Sequence, residues 1–165
     1  MTTPFVSIFM GSASDLETMR ACTTTLEALG IQYEVKISSA HRTPAQTVEN
    51  IKDAEQRGCA VFIAAAGLAA HLAGAVAANT IKPVIGVPIN ASGAISGGLD
   101  ALLSTAQMPG GIPVATVAVG KAGAKNAAFL AAQILAVTDS NIAENLKNDR
   151  AAQAKKIAQA NADLA

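Results

Sequence analysis

The chain predicts an α/β fold: a flavodoxin-like, doubly wound three-layer sandwich with a five-stranded parallel sheet and a C-terminal helical tail. Three observations carry this. Short apolar runs alternate strictly with longer alanine-rich helical stretches, the pattern of strands joined by crossover helices. Glycines stand where helices should stop, at Gly30 and Gly58. The length, 165 residues, suits one domain able to bury a core without disulfides or metals.

Taken in order, residues 5–10 form the first apolar run and read as a strand. Residues 15–29 follow as a helix stopped by Gly30. The stretch 33–37 alternates and is β-branched enough for a more polar strand. Pro44 suits the first turn of a helix over 44–57, which Gly58 ends. Residues 61–66 and 83–87 are strands flanking a helix over 69–78, and 99–106 is a helix before a last strand at 115–119. A helix over 122–137 precedes the polar, alanine-rich tail from Ser140 to Ala165, where Ile142, Leu146, Arg150 and Ile157 fall at partly helical spacing. The tail is expected to dock on the body or on a neighbouring subunit. Residues 89–98, rich in Gly, Ser and Ala, read as a mobile loop.

Composition narrows the function classes. Apolar residues make up 51% and charged residues 15%, too little polar surface for an isolated monomer to cover itself comfortably, so a homo-oligomer is expected. Twelve basic and twelve acidic side chains cancel, leaving no field to draw nucleic acid or an anionic membrane. Aromatics are only 3%, so base-stacking platforms are not evident. Cys22 and Cys59 lack metal-ligand spacing and read as small buried thiols. The N-terminus has no basic segment followed by an apolar run, and no stretch reads as a membrane span. A cytoplasmic location is the expectation.

In doubly wound sheets ligands bind beyond the carboxyl ends of the strands, which gathers three loops on one edge. Gly11-Ser12-Ala13-Ser14-Asp15 leaves the first strand with N–H groups and hydroxyls suited to a phosphate, although Ser14 or Asp15 could equally cap the following helix. It matches neither the dinucleotide fingerprint nor the P-loop. Ser38-Ser39-Ala40-His41-Arg42-Thr43-Pro44 sets a proton-transfer side chain beside a phosphate-binding one at a helix start. Ala66-Gly67-Leu68-Ala69-Ala70-His71-Leu72-Ala73-Gly74 has small residues that admit close backbone approach, and its His71 reads as a packed, hydrogen-bonded support.

With these loops assembled, the chain resembles the PurE family, the carboxyaminoimidazole ribonucleotide mutases of purine biosynthesis. The resemblance rests on the Gly11–Asp15 loop, SAHRTP at 39–44, AAHL at 69–72, GVP at 86–88 and QMPGGIPVAT at 107–116, and it spans nearly the whole chain. Ala73 departs from it, standing where the family usually has proline, and loop 89–98 is longer and richer in glycine.

The resemblance implies movement of a carboxylate from N5 to C4 of an aminoimidazole ribonucleotide, without cofactor, metal or ATP, in a homo-octamer. It implies His41 as general acid and base. Ser12, Ser14, Ser39 and Arg42 would hold the 5′-phosphate and Asp15 the ribose hydroxyls, with Gly11 and Ala40 also among the substrate-binding residues. Gly67, Ala70, His71 and Leu72 would surround the base and the migrating carboxylate. Two alternatives stay open: direct carboxylation by carbon dioxide, separable by assaying both substrates, and a flavin mononucleotide module, against which the scarcity of aromatics speaks.

Overall fold

The computed structural model describes residues 4–164. Five strands form one parallel sheet: β1 (Phe5–Met10), β2 (Tyr33–Ile37), β3 (Cys59–Gly67), β4 (Val84–Ile89) and β5 (Ala115–Thr116), in the order β2-β1-β3-β4-β5. That is the doubly wound flavodoxin-like order, and it places the reversal of winding between β1 and β3. The helices are α1 (Leu16–Ala28), α2 (Pro44–Gln56), α3 (Leu72–Ala77), α4 (Leu99–Ala106), α5 (Lys121–Leu135) and α6 (Ser140–Ala162). Gly30 and Gly58 take φ of +71° and +96°, the left-handed conformation that ends a helix at low cost for glycine.

Strand period two sorts the side chains into two cores. Val6, Ile8 and Met10 of β1 join Val61, Ile63 and Ala65 of β3 under α1 and α5, whose buried face includes Ala124, Ala127, Ala128, Ala131 and Ala132. Phe5, Phe9, Phe62 and Ala64 face the other way against Ile51 of α2 and Leu72, Ala73 and Val76 of α3. Phe9 and Phe62 meet edge to face, with centroids 5.7 Å apart, a favoured aromatic geometry. On this side α4 lies directly over β4: a Cβ added at Gly86 would stand 2.3 Å from Thr105 Cγ2. Arg57 ties the edge strand to α2, its Nη2 within 2.8 Å of both Glu34 and Asp53.

Several boundaries differ from the sequence reading. A 3-10 turn at Ala13–Asp15 precedes α1, and α3 begins only at Leu72 because residues 68–71 form a bend with Leu68 in the left-handed region. Ala73 sits in the first turn of α3 and is buried, where a helix has no need of its N–H groups. Strand β5 is two residues long, although Val117 N and Gly120 N still donate to the Gly86 and Pro88 carbonyls. Loop 89–98 carries a short 3-10 turn at Ile95–Gly97.

The tail is one long helix, capped by Asp139, whose carboxylate accepts from the backbone N–H groups of Asn141 and Ile142. Its first turns dock through buried Leu146 and through Asn145, whose amide donates to the Leu29 carbonyl at 3.0 Å. From 151 to 164 every residue is exposed. Both cysteines are buried and free; burial pushes the Cys22 thiol up to about 12 and Cys59 up to about 11. Among the described residues no helix is long and apolar enough to cross a membrane.

Candidate active site

A cleft of about 760 Å³ opens at the carboxyl ends of β1, β2, β3 and β4. Its floor is the switch point between β1 and β3, where diverging crossovers leave space that side chains do not fill.

The β1 loop is built by a capping box. Ser12 Oγ accepts from the Ser14 N–H at 3.3 Å and from Ser14 Oγ at 2.9 Å, while Asp15 Oδ2 accepts from the Ser12 N–H at 3.1 Å. The capping role expected of Ser14 or Asp15 is thus shared between Ser12 and Asp15. Asp15 lines the cleft but is only 5% exposed. Burial raises its carboxyl above the ordinary value, opposed by the bonds from Ser12 and Ser14.

The β2 loop folds back on itself through Thr43, whose hydroxyl donates to the Ser39 carbonyl and accepts from the Ser39 N–H, both at 3.1 Å. Beneath it, the buried hydroxyls of Ser38 and Thr47 are 2.8 Å apart. Arg42 reaches across to the first loop: Nη2 donates to the Gly11 carbonyl at 2.9 Å and Nε to Ser39 Oγ at 3.3 Å. A cation is therefore held in place at the junction of both loops and beside the start of α2.

The β3 loop brings in the second histidine. His41 Nε2 and His71 Nδ1 stand 2.8 Å apart with the rings crossed at 85°. One of the two nitrogens must carry the proton and the other accept it, so each ring fixes the tautomer of its partner. Gly67 makes the approach of the β4 loop feasible, since a Cβ there would lie 2.7 Å from Ala91 Cβ.

Of the residues singled out from sequence, Gly11, Ser12, Ser14, Asp15, Ser39, Ala40, His41, Arg42, Gly67, His71 and Leu72 all line this one cleft. Ala70 does not: it is buried, and its carbonyl faces Thr105 Oγ1 at 3.5 Å. Glu17 and Thr18, from the first turn of α1, and Asn90 and Ser92, past β4, line it without having been anticipated. Asn90 was within reach of the strand-end rule, since it directly follows a strand.

The family described as AIR carboxylase matches this chain over residues 5–156. The chain belongs to the AIR carboxylase family. Within it, the N5-carboxyaminoimidazole ribonucleotide mutase of Bacillus subtilis (strain 168) is 53% identical over 147 residues, covering 89% of this chain and 90% of that protein. The mutase of Brucella melitensis biotype 1 is 53% identical over 154 residues, 93% of this chain and 94% of that one. The crystal structure of Treponema denticola PurE superposes with a TM-score of 0.86 at 34% identity, covering 98% of this chain and 99% of that chain.

Proposed function

We propose that this chain is an N5-carboxyaminoimidazole ribonucleotide mutase, one catalytic domain with α6 as its tail, acting in purine biosynthesis. The observation that carries the reading is the hydrogen-bonded His41–His71 pair in the lining of a cleft that Arg42, Ser39, Ser12 and Ser14 also line. The identity to named mutases supports it.

The 5′-phosphate lies against Arg42, Ser39, Ser12 and Ser14, where a guanidinium and hydroxyl donors meet a dianion. Asp15 accepts from the ribose hydroxyls. Anchored at that end, the nucleotide presents its imidazole ring to His41. The N5–carboxylate bond breaks as His41 gives N5 a proton, releasing carbon dioxide inside the cleft. C4 attacks it, a C4–carboxylate bond forms, and His41 removes the C4 proton to restore aromaticity. One proton enters at N5 and one leaves at C4, so the net change is an isomerisation that needs neither oxidant nor ATP. His71 holds the His41 ring and its tautomer.

Assembly belongs to the same reading. A low charge fraction, a fully exposed Ile81 and a half-helix of exposed residues beyond 150 support burial against further copies of the chain, an octamer by family resemblance, in the cytoplasm. The test of function is to follow 4-carboxyaminoimidazole ribonucleotide from the synthetic N5-carbamate without ATP, beside aminoimidazole ribonucleotide plus bicarbonate. Product from the carbamate alone is expected. Product only from the second mixture would make the chain a direct carboxylase.

A further inference from the structure

Leu68 is one of two non-glycine residues of the described chain with positive φ, at +55°. In that region an L side chain crowds the following carbonyl oxygen, so a leucine there is unfavourable unless its side chain is needed. Its surroundings say what for. Three large aliphatic side chains line the cleft, and Leu72 and Ile89 are 2% and 4% exposed, already committed to the core. Leu68 is 45% exposed. It is the only one of the three whose apolar surface a bound molecule can still cover. The other positive-φ residue, Ser96, lies outside the cleft lining.

We propose that Leu68 is the specificity-determining wall that retains carbon dioxide beside the imidazole ring and so decides between isomerisation and leakage. It stands three residues before His71, in the bend that delivers that histidine. Its neighbour Gly67 packs so closely on the loop past β4 that a Cβ there would stand 2.7 Å from Ala91 Cβ. Carbon dioxide has no net charge and forms weak hydrogen bonds, so the polar groups around it hold it poorly, whereas an apolar wall excludes the water that would carry it away. In the leak, N5 takes a proton from solvent as the N5–carboxylate bond breaks, and the aminoimidazole nucleotide and carbon dioxide leave separately.

This inference rests on the mutase reading, and the experiment separates the two. The carbamate is supplied to the parent protein and to Leu68→Gly, Leu68→Ala and Leu68→Met, and both 4-carboxyaminoimidazole and decarboxylated aminoimidazole ribonucleotides are quantified, with the enzyme-free loss of carbon dioxide subtracted. The ratio of leak to product should rise about fivefold in the glycine and alanine variants, roughly what covering half a leucine side chain is worth, and stay near the parent value in Leu68→Met. Glycine tolerates the +55° backbone, so Leu68→Gly keeps the fold, and product-nucleotide binding by calorimetry confirms an intact site. A leak ratio unchanged in both small variants overturns the role of Leu68. A parent protein that makes no product from the carbamate overturns the mutase reading instead.

Discussion

Arg42→Ala should weaken nucleotide binding without disturbing the fold, and its size follows from how the guanidinium is held. Arginine carries five N–H donors. One on Nη2 is taken by the Gly11 carbonyl and the one on Nε by Ser39 Oγ, which leaves three for a ligand. These contacts set the side chain in place before a ligand arrives, so little rotamer freedom remains to be lost on binding. A charge-assisted bond contributes about 1.5–3 kcal/mol, so losing one phosphate contact should raise Kd by about 10- to 150-fold. Calorimetry with the product nucleotide measures the loss. The dephosphorylated nucleoside separates charge from loop order, because it should bind parent and variant alike. An unchanged nucleotide affinity, or an equal loss for nucleoside and nucleotide, would refute phosphate binding by Arg42, the second by making the residue a brace for the Gly11 loop.

His41→Asn should lower turnover by about 100- to 10,000-fold with little change in product affinity. His71→Asn, which removes one supporting hydrogen bond, should cost about 2- to 12-fold, and single-turnover kinetics on the pair would expose a reversal of roles. Asp15→Asn should raise the melting temperature near pH 7: burial raises this carboxyl above 3.8, so its charge opposes folding above the folded pKa and ceases to do so as pH falls below 3.8. Melting curves at pH 7 and pH 3.5 check that the gain disappears, and the same variant should bind ribonucleotide more weakly. Removing residues 151–165 should lower the assembled mass in light scattering while leaving circular dichroism of the body unchanged, because the described residues of that stretch, 151–164, are all exposed.

The sheet was legible because four of its strands fall in apolar runs and the fifth, 33–37, alternates, and the site because the strand-end rule converts loops distant in sequence into one edge. What stayed hidden depends on contacts rather than patterns. Nothing in an Ala-Ala-His segment announces that Leu68 turns left-handed, so residues 69–71 read as helix where the chain bends. The last strand looked longer because 117–119 are apolar, yet only Ile85–Ala115 and Gly86–Thr116 pair in register. The His41–His71 bond joins residues 30 apart in sequence, and no spacing rule anticipates it. The tail read as helical but not as half-docked, since Ile142 and Leu146 announce a face that residues beyond 150 do not continue.

The alanine face of α5 has a consequence for how this chain can vary. Alanine has no χ angle, so ordering Ala124, Ala127, Ala128, Ala131 and Ala132 against α1 and the sheet sacrifices no rotamer freedom. The same simplicity removes any means of adjustment. A methyl group added there cannot swing aside, and the adjoining alanines have no alternative rotamers to offer, so much of the strain passes to the separation of helix and sheet. Sequence drift should therefore collect on α6 and the outer loops, while this seam holds the spacing that keeps four strand ends converging on one cleft.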